Sequence, residues 1–167
     1  MSPITMRSAR SADAATIVRL IRELAAYEDL LEQARITEAD VLRDGFGAHP
    51  CFECLLAETG GEAVGFAIHR PNYSSFAGRP GLFVEDLFVV EQARRLGVGR
   101  MLMARLAAIA HERGCSHMNL AVLHWNPARD FYDRLGFSQL QDWLPYQLSG
   151  DALARLAAED RGARTSC

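Results

Sequence analysis

The chain has 167 residues, a formal net charge of −3 at pH 7, and hydrophobic side chains at 49% of its positions. This length suits one domain with a substantial buried core. We expect residues 1–167 to form a single domain, with the core in 4–148 and a terminal helix and tail in 149–167. No apolar run approaches the ~20 residues that span a bilayer, and no basic, apolar leader begins the chain. These features favour a cytoplasmic protein that binds neither membrane nor nucleic acid.

The first elements are expected to be a short strand at residues 4–8 and an amphipathic helix. Ser11, with Asp13 in the first turn, is expected to cap that helix. Its apolar stripe consists of Ile17, Leu20, Ile21 and Leu24. Continuing the stripe places Tyr27 and Glu28 on the same inward face, where a tyrosine is also common as core packing. An unpaired buried carboxylate costs several kcal/mol, so Glu28 either meets a cation or hydrogen-bond donors, or lies beyond the helix end in water.

A second short helix and an antiparallel strand pair follow. Thr37 is expected to cap this helix, with Asp40 in its first turn. The strands are predicted at 51–58 and 63–69, joined by a glycine turn. Residues 70–80 are rich in Pro, Gly, Ser and Asn, which predicts a mobile surface loop that either covers a substrate mouth or simply connects two elements.

The four cysteines do not form a recognisable framework. Cys51 and Cys54 are three apart on a predicted strand, so their side chains point to opposite faces and one metal ion cannot take both. Cys115 is isolated and Cys167 is the last residue. We therefore expect incidental thiols and no metal site.

The central part of the chain has the pattern of an anion-binding turn. An apolar strand at 82–90 is interrupted only by Glu85 and Asp86. Gly97 and Gly99 then lead into a helical pattern that ends at Gly114. The first amide groups of a helix have no intrahelical acceptor and lie at the positive end of its dipole, so a phosphate or pyrophosphate is the natural ligand. Positive charge is added by Arg94, Arg95 and Arg100.

Two glycines alone are a weak signal, because many strand-to-helix turns contain one. The dinucleotide-binding fingerprint needs a third glycine and a following acidic residue, and the P-loop needs Gly-Lys followed by Ser or Thr. The chain has neither pattern at this turn. A different phosphate-bearing ligand is therefore expected.

The last third of the chain continues the alternation of strands and helices. The predicted elements are a strand at 117–123, a helix begun by Trp125-Asn126-Pro127 and closed by Gly136, final strands from Phe137 that include Asp142-Trp143 and 146–148, and a terminal helix capped by Ser149. Residues 160–167 are expected to be a frayed tail. The order of elements predicts an α/β layer fold with a mixed central sheet flanked by helices.

Several motifs resemble those of the GCN5-related N-acetyltransferase (GNAT) superfamily. Residues 94–99, RRLGVG, match its R/Q-x-x-G-x-G/A motif, and 125–128, WNPA, and 131–137, FYDRLGF, fit the same family. The chain is most similar to the diamine (spermidine/spermine) and thialysine N-acetyltransferase branch, through residues 20–28 and 44–50 as well. The resemblance covers roughly residues 6–148.

The resemblance implies acetyl-coenzyme A as the ligand of the glycine turn. Its pantetheine arm is peptide-like and would hydrogen-bond to the end of the preceding strand, as in strand addition. The expected binding residues are Leu87, Phe88, Val89, Arg94, Arg95, Leu96, Gly97, Val98, Gly99, Arg100 and Asn126. Asn126 and Tyr132 are six positions apart where the family usually has seven, which would rotate the start of the helix by about 100°.

The resemblance also implies the catalytic groups. An amine attacks only when it is neutral, yet alkyl ammonium groups have a pKa near 10, so the site needs a proton acceptor and a proton donor for the leaving thiolate. Glu85 is the expected base. Glu85 and Asp86 are neighbours on a strand and would face opposite sides, which leaves Asp86 a supporting role. Tyr132 is the expected acid, because a phenol near pKa 10 stays protonated beside a thiol near 8.5. Tyr27, Glu28, Glu85 and Asp142 are the expected substrate contacts.

The predicted function is acetyl transfer to the primary amine of a small cation, such as a polyamine, thialysine or a lysine-like amine, by direct attack in a ternary complex. The family implies a homodimer. Acetylation of a protein lysine or N-terminus is the enzymatic alternative and would need an open groove. A non-catalytic acyl-CoA-binding module is the alternative from another class, and it leaves the presence of both Glu85 and Tyr132 unexplained.

Overall fold

The computed structural model describes residues 2–163, which contain five β-strands and five α-helices. The strands are β1 Ile4–Ser8, β2 Glu53–Thr59, β3 Glu62–Ser74, β4 Arg79–Val89 and β5 Met118–Leu120. The helices are α1 Ala14–Tyr27, α2 Glu38–Phe46, α3 Val98–Glu112, α4 Ala128–Arg134 and α5 Gly150–Ala163. The predicted tail is helical as far as Ala163, and its remainder, with Cys167, lies outside the described residues.

The strands form one mixed sheet in the order β1-β2-β3-β4-β5. The first three pairings are antiparallel, and β5 joins β4 in parallel. Helix α3 connects β4 to β5, as a parallel pairing requires. The predicted α/β fold with a mixed sheet flanked by helices is confirmed.

The chain divides within α4 into two compact units, one ending at Phe131 and the other beginning at Tyr132. All five strands belong to the first unit. Its core is built from strand and helix residues that are almost fully buried: Phe66, Leu56, Ile17, Leu20, Val41, Leu102 and Leu106. Burying each such side chain stabilises the fold by roughly 1.5–3 kcal/mol. The single-domain assignment stays a prediction.

The two predicted helix caps have different outcomes. At α2 the Thr37 hydroxyl accepts the Asp40 N–H at 3.2 Å, and the Asp40 carboxylate accepts the Thr37 N–H at 3.0 Å, so this prediction is confirmed. At α1 the Ser11 cap is wrong, because Ser11–Asp13 form a 3₁₀ turn before the helix. Asp13 binds the Arg7 guanidinium at 2.7 Å, and this bond holds the pKa of the Asp13 carboxyl below its usual value.

The predicted surface loop at 70–80 is also wrong. Strands β3 and β4 stay paired from Arg70 opposite Phe83 as far as Ser74 opposite Arg79, which leaves only a short turn between them. This extension is held by contacts that composition does not reveal. The His117 imidazole lies against Gly81, where any Cβ would collide with it, and His117 Nε2 is 3.2 Å from Asn72 Oδ1.

The predicted final strands do not form in the described residues. The backbone turns at Asp142, where the Trp143 N–H donates to the Leu140 carbonyl at 3.2 Å, and Pro145 has no N–H to donate to a strand. The apolar residues that suggested strands are exposed: Leu140, Trp143, Leu144 and Tyr146. The predicted strand at 117–123 is likewise shorter and ends at Leu120.

The cysteines that the structure describes are free thiols. Cys51 is exposed and precedes β2, whereas Cys54 is buried within it. Burial raises the pKa of the Cys54 thiol to about 12, so this thiol is protonated and unreactive at neutral pH.

Within residues 2–163, every helix is too short or too polar to cross a membrane.

Candidate active site

A β-bulge in β4 brings two acidic side chains to one place. Ile68 pairs with Asp86 and His69 pairs with Val84. Glu85 is therefore an extra residue whose backbone has no opposite residue in the β3 register. A bulge breaks the regular alternation of faces. The expectation that Glu85 and Asp86 face opposite sides is therefore wrong, and both line the same pocket.

This pocket has a volume of about 590 Å³, within the range of small-molecule sites. Ile68 and Arg70 of β3 and the two acids of β4 form one side. Ile21 of α1 contributes an apolar side chain. The connection between α1 and α2 and the segment before β2 supply the remaining lining residues: Gln33, Ala34, Arg35, Ile36, Cys51 and Phe52.

The Glu85 carboxylate forms an ion pair with Arg70, whose Nε lies 3.0 Å from Glu85 Oε2. Both side chains are about half exposed, at 50% and 45%. The Arg70 guanidinium also lies 4.5 Å from the centre of the Phe83 ring. A pair this exposed contributes at most about 1 kcal/mol to stability, so its main effect is to neutralise one of the two acids in the pocket.

Asp86 is half-buried, and this burial raises the pKa of its carboxyl to about 6. The carboxylates of Glu85 and Glu28 raise this pKa further. A proton acceptor works best when its pKa lies near the operating pH. By this criterion Asp86, which sequence reasoning gave only a supporting role, has the properties of a base.

The raised pKa of Asp86 predicts a pH-dependent gain in stability for Asp86→Asn. Ionised Asp86 destabilises the folded state, so the wild type loses stability as pH rises from about 4 through about 6. The difference between 3.8 and about 6 corresponds to roughly 3 kcal/mol. Urea unfolding at pH 4.5 and pH 8 measures the effect. The free energy of unfolding of Asp86→Asn, relative to that of the wild type, should be higher at pH 8 than at pH 4.5.

Asp13→Asn is the control of opposite sign. The pKa of Asp13 is lowered by Arg7, so its ionised form stabilises the fold above the unfolded-state pKa and that contribution is lost in acid. The stability of Asp13→Asn should therefore fall further below that of the wild type as pH rises towards about 4, and the difference should stay nearly constant between pH 4.5 and 8. A difference between Asp86→Asn and the wild type that does not change with pH would contradict the Asp86 assignment.

The glycine turn precedes α3 as the sequence predicts. Gly97 has φ 80°, a left-handed conformation that favours glycine, and α3 begins at Val98. Arg95 also has a positive φ of 67°. A Cβ on Gly97 would meet nothing within 4 Å, so the space beside the turn is open. The first amides of α3, which have no intrahelical acceptors, are therefore approachable by a ligand.

The end of β4 has an open edge. Strand β5 pairs only with Leu82, Phe83 and Val84, while β4 continues along β3 as far as Val89. In the part of the chain that the structure describes, no strand pairs with β4 on the β5 side beyond Val84. An open edge followed by a glycine turn fits a peptide-like arm that ends in a diphosphate.

Arg94 lies beside this edge in a defined position. Its Nε donates to the Val89 carbonyl at 3.0 Å, and its guanidinium stacks over the Tyr27 ring at 4.4 Å from the ring centre. The Phe88 ring is 5.6 Å from the same guanidinium. Tyr27 is the last residue of α1 and is 39% exposed, so it is not the core residue that the helical stripe suggested. The expected cofactor and substrate residues Arg94 and Tyr27 therefore touch each other.

Glu28 lies just beyond the end of α1 and meets a hydrogen-bond donor. Asn126 Nδ2 donates to Glu28 Oε1 at 3.3 Å, and Asn126 Oδ1 accepts the Ala128 N–H at 2.9 Å. Burial raises the pKa of Glu28, and the bond from Asn126 opposes this rise. The buried Asn126 thus caps the start of α4 and holds Glu28, and its expected contact with the cofactor stays a prediction.

Tyr132 belongs to the second unit. Its carbonyl accepts the N–H groups of Leu135 and Phe137 at 3.0 and 3.1 Å, and Gly136 has φ 93°. This turn packs the Phe137 ring edge-on against the Tyr132 ring, with 5.8 Å between the ring centres. The motif FYDRLGF therefore coincides with the end of helix α4.

Asp142, the last expected substrate contact, lies in the turn between Leu140 and Trp143.

No sequence pattern predicts that Arg35 and Arg70 line the pocket. The composition of residues 70–80 predicts a loop, whereas Arg70 lies on β3 and its guanidinium pairs with Glu85. Arg35 lies in a polar connection with no local motif, so only the three-dimensional fold brings it to the acids.

Comparison with known proteins defines the class to which this fold and site belong. A family model described as the acetyltransferase (GNAT) family matches residues 18–137. The thialysine N-epsilon-acetyltransferase of Sus scrofa is 36% identical over 171 residues, with 95% of this chain and all of that protein covered. The human spermidine/spermine N(1)-acetyltransferase-like protein 1 is 36% identical over 96% of this chain but only 24% of its own length. An integron cassette protein of V. cholerae superimposes with a TM-score of 0.79 at 26% identity, covering 94% of this chain and 98% of that one.

The chain belongs to the GNAT acetyltransferase family, and it is an N-acetyltransferase. The predicted membership and the resemblance to the thialysine and diamine branch are both confirmed. Members of the family use acetyl-CoA as co-substrate.

Proposed function

We propose that the chain transfers the acetyl group of acetyl-CoA to a primary amine of a small cation, such as a polyamine, thialysine or a lysine-like amine, by direct attack in a ternary complex. One observation carries the proposal. Strand β4 places Glu85 and Asp86 in a pocket, leaves its edge open over Leu87–Val89, and leads into the glycine turn at Gly97. One strand thus adjoins both a cation site and the expected place of the acyl donor.

The binding roles follow from that arrangement. The backbone of residues 87–89 would hold the pantetheine arm, and residues 94–100 would hold the diphosphate on the first amides of α3. Bound there, acetyl-CoA supplies an activated acetyl group as a thioester. Tyr27, Glu28 and Asp142 remain the proposed further contacts to the amine, with Glu85 as the fourth.

The catalytic roles fall to residues of the pocket and to Tyr132. A carboxylate in the pocket accepts a proton from the ammonium group: Glu85 is the expected base, and Asp86, with a pKa of about 6, lines the same pocket and can share the role. The neutral nitrogen forms a bond to the acetyl carbon while the carbon–sulfur bond breaks. Tyr132 gives its proton to the leaving thiolate, because its reference pKa of about 10 exceeds the roughly 8.5 of a thiol. The nitrogen then loses its second proton, which restores the Tyr132 phenol, and the pocket carboxylate passes its proton to water. The products are therefore the acetylated amine, free coenzyme A and one released proton.

A small amine is better supported than a protein substrate. The relatives that share 36–37% identity with this chain over nearly its whole length are named for a small amine, thialysine. The homodimer and the cytoplasmic location stay predictions from the family resemblance, and gel filtration with light scattering would test the first.

An amine panel with acetyl-CoA tests the proposed function. Spermidine, putrescine, thialysine, lysine and a lysine-containing peptide are each incubated with enzyme while thiol release is followed. We expect turnover of at least one small amine and little turnover of the peptide. Release of thiol only with the peptide would contradict the proposal, as would its absence with every amine.

A further inference from the structure

The pocket beside Glu85 contains two cations as well as two acids. Arg70 and Arg35 both line it. Arg70 is already engaged, because its Nε lies 3.0 Å from Glu85 Oε2. A diamine carries two positive charges, so an unneutralised guanidinium in the pocket would repel it. A second, unpaired arginine is therefore unfavourable in a pocket that binds only diamines.

Arg35 is free to bind a ligand. Within residues 2–163, no hydrogen bond or ion pair engages its guanidinium. Its backbone, by contrast, is held in place: the Arg35 N–H donates to the Gln33 carbonyl at 2.9 Å, and the Thr37 cap of α2 follows two positions later. The flanking Ala34 and Ile36 are half-buried and also line the pocket. Arg35 is exposed, and an ordered segment holds its backbone beside the pocket.

The charges of the pocket then select a ligand. The Glu85–Arg70 pair is neutral as a unit, which leaves the Asp86 carboxyl and the Arg35 guanidinium to meet the substrate. A diamine offers two cations to this arrangement. A basic amino acid offers an ammonium group for the acid and an α-carboxylate for Arg35, whose planar fork matches a carboxylate with two parallel hydrogen bonds.

We propose that Arg35 binds the α-carboxylate of the substrate, so that the pocket takes a basic amino acid in preference to the corresponding diamine. This inference rests on the proposed function, because it concerns the amine of that same reaction. Arg35 is a specificity-determining residue in this scheme and has no part in proton transfer.

The test compares matched substrates that differ only in the carboxylate. L-lysine, its decarboxylated counterpart cadaverine, and L-lysine methyl ester are assayed with acetyl-CoA on the wild type and on Arg35→Gln. We expect the wild type to favour lysine over both analogues. Arg35→Gln should lower kcat/KM for lysine at least about 10-fold, mainly through KM, because a hydrogen bond to a charged group is lost only where a carboxylate is present. It should leave kcat/KM for cadaverine and the ester unchanged or higher, because both are dications and a repelling charge is removed.

Two further variants serve as controls. Arg35→Lys keeps the charge and should recover part of the lysine activity. Arg22→Gln removes an exposed arginine of α1 that does not line the pocket, and it should change none of the three substrates. The KM for acetyl-CoA and the melting temperature of Arg35→Gln should match those of the wild type.

The outcomes separate this inference from the proposed function. Cadaverine turned over as well as lysine, or an Arg35→Gln variant with an unchanged lysine-to-cadaverine ratio, would overturn the role of Arg35 and leave the acetyltransfer to amines intact. A raised KM for acetyl-CoA with that ratio unchanged would assign Arg35 to the other substrate and also overturn the inference. Absence of thiol release with every amine, including those of the wider panel, would overturn both.

Discussion

Replacing Tyr132 with phenylalanine is expected to lower kcat by about 10²- to 10³-fold, the usual contribution of a general acid. The substitution removes one oxygen and keeps the ring that packs against Phe137 at 5.8 Å, so the end of α4 should be preserved. Without a proton donor the thiolate leaves as a stronger base and the carbon–sulfur bond breaks more slowly. Single-turnover kinetics with saturating amine would measure the step directly.

Tyr146→Phe is the matched control for this variant. Tyr146 belongs to the same unit and is 92% exposed, so the loss of its hydroxyl should leave kcat unchanged. The affinity of Tyr132→Phe for acetyl-CoA, measured by calorimetry, should equal that of the wild type. Wild-type turnover in Tyr132→Phe would remove the acid assignment, and a large loss of cofactor affinity would make Tyr132 a binding residue instead.

Gly97→Val is expected to weaken acetyl-CoA binding by about 100-fold, because a β-branched residue at φ 80° costs of order 1–3 kcal/mol and would shift the turn to relieve that strain. The surrounding space is empty, so collision is not the cause of the effect. The kcat at saturating acetyl-CoA should fall much less than the affinity. Calorimetric titration with coenzyme A measures the change.

The other end of the same helix offers the control. Gly114 has φ 69° and, like Gly97, open space around its Cβ position. Gly114→Val should therefore impose a similar strain and a similar loss of melting temperature, but it should leave cofactor affinity unchanged. Equal affinities for the two variants would show that the Gly97 turn has no special role in binding.

Much of the fold follows from local signals in the sequence. The glycine at position 97 both starts α3 and allows the left-handed backbone there, so one residue type predicts both features. Thr37 with Asp40 is similarly local, since the two side chains bond to each other's backbone. Gly136 ends α4 as predicted.

The errors arise where distant residues decide the outcome. Residues 70–80 have the composition of a loop, yet Gly81 accommodates the imidazole of His117, which comes from beyond α3. At Ser11, the helix start is altered by an arginine on β1 that binds Asp13. The sequence around one residue does not reveal contacts with residues that are distant in the chain.

The site shows the same limit more sharply. Strict alternation along β4 assigned Glu85 and Asp86 to opposite faces, and only the register with β3 reveals the bulge between Ile68 and His69 that unites them. Nothing in the neighbourhood of Arg35 marks it as a pocket residue. A family resemblance supplied Glu85 and Tyr132, but the charges that choose among amines lie outside the family's motifs.

The bulged strand β4 also fixes a distance. With a rise of about 3.3 Å per residue, Asp86 and Val89 are separated by roughly 10 Å along one rigid element. The amine and the acetyl donor would thus be positioned by the same rigid strand, and no hinge within the sheet is needed to bring them together. Lengthening the hairpin tip near Gly78 should leave this spacing intact. Deleting a single residue between positions 85 and 89 would change the distance between the bound amine and the thioester.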